Sequence, residues 1–452
     1  MKFARLFALL LLTGCAAGYS SYMGGSLKRL ESRDYAEALE KLEKPDGKTN
    51  KLLYRLEKGL ILHYQGAYQA SNIEFEKAER LIDRLYTKSA SREVAAFLTN
   101  DAIRPYSGEE FERALIHYYR AMNYQYLGQP QEALVECRKA NLRLEDYAQA
   151  AEYKLSYKND AFLQYMSGLF FAAEGEWNDA YISFKDAEKG YRAYQEAFGF
   201  APPRTLGQDL ARTARRLGYA DELVEYSRRY DLRADDIDPS KEGEVIVFIE
   251  DGFIARKRQN EIQVPILDND NPKKVWDLSD RMVDRYYRYP HRRHYRVKVD
   301  YWLKVALPYY EPVRSQVSRV RLRAGGRSSE AVLVEDLDAI AVQSFAEKEK
   351  TILLRTFARG VAKYAATQVA EEENEILGTL VNWLTASVEA ADTRSWLALP
   401  GRIRMARLAL PAGTSEVVVE LFNGGNLLEA QSFPAVEVAA DRPVFLNYRS
   451  YR

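Results

Sequence analysis

The pattern of hydrophobic and polar residues divides the chain into two parts with different periods. From Leu27 to about residue 232, apolar residues recur at the three- and four-residue spacing of amphipathic helices. Only three prolines and nine glycines interrupt Leu27–Phe200, a composition that suits helix interiors. From residue 244 onward, apolar and polar residues alternate in short runs typical of strands. The pattern therefore predicts an α+β multidomain protein, helical at 27–232 and β-rich at 244–452.

The helical region contains an internal repeat. Three segments share a turn glycine, at Gly66, Gly128 and Gly175. In each, small residues lie seven positions before, five after and twelve after that glycine, and a larger residue lies nine after it. This spacing resembles the tetratricopeptide repeat (TPR), in which helix pairs stack into a solenoid. Weaker units precede the first segment and follow the third, the latter turning at Gly218. An irregular helical bundle is the alternative.

A stacked array of helix pairs has a concave face lined by the first helix of each pair. In the register of the repeat, two rows of large side chains lie on this face: Leu115, Tyr118 and Met122, then Phe162, Tyr165 and Leu169. Aromatic and methionine side chains suit the binding of a partner protein as a helix or extended peptide. We therefore expect partner binding there, with packing against an added helix or the C-terminal region as the alternative.

The second part of the chain is predicted to be a β-rich domain. Residues 233–243 are polar and predict a linker, and strands follow it in two groups. The expected strands are 244–250, 295–305, 317–322, 331–334, 403–410, 416–422, 426–432 and 444–448. A helical insertion with two amphipathic faces is expected at about 343–390. The interpretation is a sandwich-like domain that carries a two-helix insertion.

The first residues of the chain indicate its compartment. A basic start and the apolar run Leu6–Leu12 precede Leu12-Thr13-Gly14-Cys15, which resembles the lipobox of bacterial lipoproteins. This resemblance implies a signal peptide at 1–14, lipidation of Cys15 and a lipidated flexible leader at 15–26. Ala16 after the cysteine implies sorting to the outer membrane, with the body of the protein in the periplasm. A plain signal peptide is the alternative.

Composition and motifs argue against several classes of chemistry. The chain has 65 basic and 65 acidic residues, which excludes the basic excess of a protein that coats nucleic acid. Two cysteines and four histidines leave little material for a metal site, and no P-loop, nucleophile elbow or zinc motif is present. Cys137 falls at a helix-packing position. We therefore expect no metal, no cofactor, no catalytic residues and no enzyme.

One basic segment is a candidate for anion binding. Residues 281–298 hold seven arginines and lysines, four tyrosines and one acid. In an envelope protein, Arg288, Arg292 and Arg293 are candidates for contact with anionic glycans or lipid head groups. The alternative is a solvated loop and strand edge in which the arginines pair with local acids.

Two further segments carry a family resemblance. They are Ala391-Asp392-Thr393-Arg394-Ser395-Trp396, followed by Pro400, Arg402 and Ile403, and Ala306-Leu307-Pro308-Tyr309-Tyr310. Both are similar to segments of an uncharacterised family of TPR-containing bacterial envelope lipoproteins, a resemblance that extends over nearly the whole chain and implies no particular activity. From the residues alone, we expect Asp392 to fix Arg394 and Trp396 to be buried, which favours a structural role over a ligand site.

These observations predict an outer-membrane-anchored lipoprotein that acts as a protein-interaction scaffold, its repeats binding an envelope partner. Two alternatives remain open. One is an accessory subunit of a polysaccharide or protein export complex, and the other is a glycan- or peptidoglycan-acting enzyme, which requires convergent carboxylates in a cleft.

Overall fold

Helices fill the N-terminal half of the protein and β-sheets most of the C-terminal half, so the predicted α+β class is confirmed. The computed structural model describes residues 19–43, 50–89, 104–150, 160–237, 242–288, 298–373, 391–440 and 442–452. The helices are α1 (Tyr19–Glu31), α2 (Tyr35–Glu43), α3 (Lys51–Tyr64), α4 (Tyr68–Ser89), α5 (Glu110–Tyr126), α6 (Pro130–Ala150), α7 (Ala161–Ala173), α8 (Trp177–Phe198), α9 (Arg204–Leu217), α10 (Ala220–Arg229), α11 (Ala234–Ile237), α12 (Val275–Arg288) and α13 (Leu337–Glu373). The strands are β1 (Gly243–Asp251), β2 (Arg256–Leu267), β3 (Val299–Glu311), β4 (Arg319–Ala324), β5 (Arg327–Glu330), β6 (Val332–Asp336), β7 (Arg402–Leu410), β8 (Gly413–Asn423), β9 (Asn426–Val438) and β10 (Pro443–Ser450).

Four consecutive helix hairpins, α3–α4, α5–α6, α7–α8 and α9–α10, build most of the helical half. Each turns at one of the glycines identified in the sequence, Gly66, Gly128, Gly175 and Gly218, whose φ angles are +82°, +65°, +78° and +78°. Residues with a Cβ rarely adopt this left-handed conformation, and glycine adopts it freely. The glycines therefore end the first helix of each pair where the repeat pattern places the turn.

Within the first three hairpins a small residue of the first helix lies under a larger residue of the second. A Cβ added to Gly59 would lie 2.8 Å from the Phe75 ring, and one added to Gly168 would lie 2.4 Å from the Phe184 ring. In the α5–α6 hairpin the corresponding pair is Ala121 and Cys137, both fully buried. Ala121 is larger than glycine by one methyl group, and Cys137 is smaller than phenylalanine. The two changes compensate, so the helices stay in close contact in all three hairpins.

The predicted flexible leader at 15–26 is wrong from residue 19 onward, because α1 begins at Tyr19 and packs into the protein. Tyr19, Met23 and Leu27 of this helix are buried. The small residues that suggested flexibility, among them Gly24 and Gly25, occupy its exposed face. The signal peptide at 1–14 and Cys15 lie outside the described residues.

The C-terminal half contains two four-stranded sheets packed face to face. The first has the strand order β10-β1-β7-β6, and the second has the order β5-β4-β8-β9. Val245, Val247 and Ile249 of β1 contact the second sheet, whereas Ile246 and Phe248, on the opposite face, join the core of the helical half. The protein therefore has three layers, with helices, first sheet and second sheet in that order.

Strand β1 does not form a hairpin with the strand that follows it along the chain. It pairs in parallel with β10 and antiparallel with β7. Strand β2 instead pairs with β3 in a separate two-stranded sheet. The chain leaves the first sheet after β1 because Gly252, with φ of +66°, turns it away from the strand.

The predicted insertion at about 343–390 is only partly covered by the described residues. Helix α13 begins earlier than expected, at Leu337, and residues 374–390 lie outside the described part of the chain. Helices α12 and α13 pack on the β2–β3 hairpin around a core that includes Met282, Leu303 and Phe357. Helix α12 was not expected, since its basic and tyrosine-rich sequence suggested a loop.

The boundary predicted at 233–243 marks a change of secondary structure but not a break in packing. Helix α11 lies inside it, and Ile237 is buried, whereas residues 238–241 lie outside the described residues. One hydrophobic cluster runs from the helices into the first sheet. The two halves therefore share a core.

The small–large pairs predict the stability of the hairpins. We expect Gly168→Ala to destabilise the protein by about 1–3 kcal/mol, because the new methyl group overlaps the Phe184 ring. In a Phe184→Cys background, which copies the Ala121–Cys137 pair, the added cost of Gly168→Ala should be smaller. Urea unfolding of the four proteins measures this coupling.

Gly24→Ala is the matched control, because a Cβ added to this helical glycine would have no neighbour within 4 Å and alanine should be tolerated without loss. An equal cost of Gly168→Ala in both backgrounds would contradict the steric explanation.

Candidate functional site

The first sheet covers the inner face of the helical array, where the sequence predicted partner binding. The Phe248 ring lies 6.2 Å from that of Tyr118 and 5.6 Å from that of Phe162. The predicted partner-binding residues are all at most 4% exposed: Leu115, Tyr118, Met122, Phe162, Tyr165 and Leu169. They face inward as expected, but the prediction that they bind a partner is wrong, because the protein's own sheet occupies that face. The sequence indicated this arrangement through the uninterrupted apolar run Val245–Ile249, which is typical of a strand that is buried on both faces.

A buried carboxylate at the end of β1 joins the sheet to the helices. Glu250 accepts hydrogen bonds from the hydroxyl groups of Tyr118 (2.8 Å) and Tyr119 (3.2 Å) and from that of Tyr64. Burial, with the nearby Glu250 charge, holds the pKa of each tyrosine well above its usual value. The three hydroxyl groups therefore remain protonated donors, which is what a buried carboxylate requires.

His63 extends this network to the last strand. Its Nδ1 lies 2.6 Å from the Asn123 side-chain oxygen, and its Nε2 lies 2.7 Å from the Asn447 side-chain nitrogen. Burial lowers the pKa of His63, so the ring is neutral and these contacts fit a proton on Nδ1. The arrangement orients helices α3 and α5 against β10 and leaves the imidazole enclosed.

The segment around Arg394 is held by two kinds of contact. The Asp392 carboxylate binds Arg394 through two hydrogen bonds, of 2.8 and 2.7 Å. Farther along, the backbone N–H groups of Trp396, Leu397 and Ala398 donate to helix carboxylates: Glu112 accepts the first, and Glu57 accepts the other two. Trp396 is fully buried. These contacts fit the structural role expected of this segment.

The two segments that carry the family resemblance meet at a cavity of about 170 Å³, lined by residues of both. At its edge the Glu109 carboxylate receives the ammonium groups of Lys257 and Lys348. Although burial opposes ionisation, these two charges hold the pKa of Glu109 well below its usual value. The ion pairs tie the start of α5 to β2 and α13.

Two pairs of buried carboxylates bear on the glycan-acting alternative, which requires carboxylates that face a cleft. Burial raises the pKa of Glu57 to about 8 and also raises that of Glu112, but both already accept backbone hydrogen bonds. Burial raises the pKa of Asp160 to about 6, and it holds the pKa of Glu335 well above its usual value. All four side chains are enclosed, at most 1% exposed, and so do not face a cleft.

Other candidate chemical groups are engaged in packing. Cys137 is buried, and burial raises the pKa of its thiol to about 12, which opposes formation of a nucleophilic thiolate. His117 lies 2.9 Å from the Glu136 carboxylate inside the α5–α6 hairpin. Among the described residues, no group of three or more histidine, cysteine, aspartate or glutamate side chains is arranged to hold a metal ion.

The basic segment at 281–298 is described only in part. Arg288 pairs with Asp284 at 2.8 Å on the exposed end of α12, and Arg285 and Arg281 both contact Asp270. Pairing with local acids, the alternative interpretation of this segment, therefore accounts for the described arginines. Arg292 and Arg293 lie outside the described residues, so anion binding by them stays a prediction.

An apolar row on the outer face of the helical array was missed by the sequence analysis. Ile73, Val135 and Ile182 each lie seven residues after a turn glycine, and they are 46%, 40% and 57% exposed. Val224, six residues after Gly218, is 68% exposed. We call these four residues the outer row. The repeat itself indicated that these residues are exposed. On a helix, the residue seven positions after the turn glycine lies opposite the buried residues five and nine positions after it.

The outer row differs from scattered surface hydrophobics because it repeats. Single exposed apolar side chains are common and need no explanation. Here the same position of three consecutive hairpins carries a β-branched residue, and charged side chains such as the Arg55–Glu74 pair flank the row. An apolar centre with a polar rim is the usual composition of a protein–protein interface.

Comparison with known protein-family models and with curated proteins finds no match to this chain.

The enclosed Glu335 carboxylate predicts a pH-dependent change in stability. Neither carboxylate oxygen has a hydrogen-bond partner among the described residues. Burial raises the pKa of Glu335 in the folded protein. The stability that the protonated carboxyl group contributes is therefore present below the ordinary glutamate pKa, and it is lost as pH rises through the higher pKa of the folded state. Glu335→Met should therefore gain stability relative to the unaltered protein between pH 5 and pH 8, by about 1–3 kcal/mol.

The matched control is Glu330→Met on β5, since Glu330 is exposed and its removal should give no comparable pH dependence. Thermal unfolding at both pH values provides the measurement. A difference between Glu335→Met and the unaltered protein that is independent of pH would show that Glu335 does not titrate in this way.

Proposed function

We propose that this protein is a lipid-anchored scaffold of the bacterial envelope whose TPR-like helical array binds a partner protein through the outer row. The outer row is the observation that carries the proposal. The inner face is closed by the first sheet, so the recurring apolar positions on the outer face are the surface that the array offers to a partner. Covering these apolar side chains with a partner removes them from water, which stabilises the complex.

The hairpin geometry supports the TPR-like interpretation. Left-handed turn glycines recur in four hairpins, and in three of them a small–large pair such as Gly168 and Phe184 lies at the same positions relative to the turn glycine. Consecutive hairpins contact one another, α4 with α5, α6 with α7, and α8 with α9. A solenoid of this kind depends on contacts between neighbouring repeats, and it displays equivalent positions in a row.

Anchoring through Cys15 explains how such a scaffold stays at the membrane. Among the described residues, no helix is long and apolar enough to cross a bilayer. A thioether-linked diacylglycerol with a further acyl chain provides the two or more chains that stable anchoring requires. The resemblance of Leu12–Cys15 to a lipobox supports this step and, with Ala16, supports the outer membrane as the location.

Metabolic labelling tests the anchor. In cells given an alkyne-labelled palmitate, the full chain should become labelled, and Cys15→Ser should abolish the label because the acceptor thiol is absent. Cys137→Ser is the control and should keep the label, since Cys137 is buried in the α5–α6 hairpin. Label that persists in Cys15→Ser would exclude Cys15 as the lipidation site.

Site-specific photocrosslinking tests the outer row. A benzophenone side chain at Val135 or Ile182 should crosslink a discrete partner in intact cells, whereas one at the exposed control position Glu330 should not. Val135→Asp with Ile182→Asp should reduce partner recovery about tenfold or more, because an acid in an apolar interface loses both contact and solvation. Unchanged thermal stability of that variant confirms that the fold is intact.

Mass spectrometry of the crosslinked product separates the alternatives. A channel-forming or ring-forming subunit would favour the role of an accessory protein in export. Crosslinks of equal yield from Val135, Ile182 and Glu330 would contradict the proposal that the outer row is the partner surface.

A further inference from the structure

A second, chemically different site lies where the last helix hairpins meet the first sheet. It is a cavity of about 380 Å³, which falls within the size range of small-molecule pockets, about 300–1,000 Å³. Its apolar wall is formed by the partly exposed Ala172, Trp177 and Pro443 together with the buried Leu169, Phe184 and Ile246. Arg212, Arg215 and Arg216 line its basic side. We call this cavity the arginine pocket. It faces away from the outer row, because Leu169 and Phe184 belong to the inner side of the array.

The charged side chains at the base of the pocket are paired with one another. Arg407 is enclosed there between two acids, donating to the Glu244 carboxylate at 3.0 and 2.8 Å and to that of Asp209. Although burial opposes ionisation, the Arg407 charge lowers the pKa of Glu244, so both groups of this pair stay ionised. Asp209 also lies 3.9 Å from the Arg212 guanidinium. These four groups satisfy one another and leave no charge at the base for a ligand.

The mouth of the pocket carries a positively charged side chain. Arg216 lies at this mouth and is exposed. The Arg216 guanidinium lies over the Trp177 ring, 4.1 Å from its centre, and no acidic side chain pairs with it among the described residues. Stacking on the indole orients a guanidinium and leaves its N–H groups available to an anion.

The edge of the sheet at the pocket cannot accept an extended peptide. The Asn447 backbone N–H points out of the first sheet, since it donates to the Tyr126 hydroxyl at 2.6 Å. In a parallel pair every second residue has the same direction, so the outward N–H at the pocket would belong to Pro443. Proline has no N–H, and strand addition is therefore blocked there. A ligand without backbone hydrogen-bonding needs fits better than a peptide strand.

We propose that the arginine pocket binds a single-chain fatty acid, with the acyl chain along the partly exposed Ala172, Trp177 and Pro443 and the carboxylate on Arg216. The apolar wall removes the chain from water, and a carboxylate matches the fork of guanidinium donors. This site is independent of the proposed scaffold function, because it shares no residue with the outer row or with Cys15.

Displacement of a fluorescent fatty-acid analogue, dansylundecanoate, from the full chain tests the proposal. Laurate should displace the probe, and Arg216→Gln should weaken laurate binding about fivefold, the effect of losing one partly exposed ion pair. Arg228→Gln is the matched control on exposed α10 and should leave binding unchanged. Neutral dodecanol should bind Arg216→Gln and the unaltered protein equally, because it presents no anion to the arginine.

A blocking variant tests the apolar wall. Ala172→Phe places a ring in the cavity and should abolish laurate displacement while the circular dichroism spectrum stays unchanged. Failure of laurate to displace the probe would overturn the proposal, as would equal losses in Arg216→Gln and Arg228→Gln. Tighter binding of dodecyl phosphate than of laurate would overturn the carboxylate assignment, and displacement by an acidic peptide alone would overturn the lipid class.

Discussion

Burying a carboxylate between two layers of a protein is costly unless hydrogen bonds replace its hydration, and Glu250 sets this condition for the whole fold. Tyrosine hydroxyl groups from α3 and α5 donate these hydrogen bonds to Glu250. Directional hydrogen bonds as well as apolar contacts therefore hold the two helices on β1. Strand β1 also contacts the second sheet through Val245, Val247 and Ile249. All three layers therefore depend on the position of one strand.

The local features of the fold were predictable because short-range physics determines them. A turn with left-handed backbone favours glycine, so Gly66, Gly128 and Gly175 could be assigned to the turns of the hairpins. The alternation of apolar and polar residues located β7 and β8 to within a few residues. Strand partners were not predictable, since β1 pairs with β10 from the far end of the chain. The leader was misread because exposed small residues such as Gly24 suit the outer face of a helix as well as a flexible segment.

The candidate sites show the same division between local and long-range information. The inward direction of Tyr118 and Phe162 followed from helical periodicity, but what covers them depended on tertiary packing that no local pattern contains. The outer row was missed because a single β-branched residue seven positions after a turn glycine is ordinary in a helix. Its recurrence becomes informative only when the exposure of each side chain is known. The arginine pocket joins residues more than two hundred positions apart, so sequence spacing carries no trace of it.

The place of β10 has a consequence for biosynthesis. This strand follows the helices and the other described strands along the chain; it contributes Phe445 against Phe170 and Asn447 against His63, and it is the edge partner of β1. Until the ribosome has finished residue 450, the helical half has no completed sheet on which to close, and its tyrosine-rich inner face stays open to water. Folding of the two halves is therefore coupled to the synthesis of β10, and the nascent helices need protection from aggregation until that strand has been made.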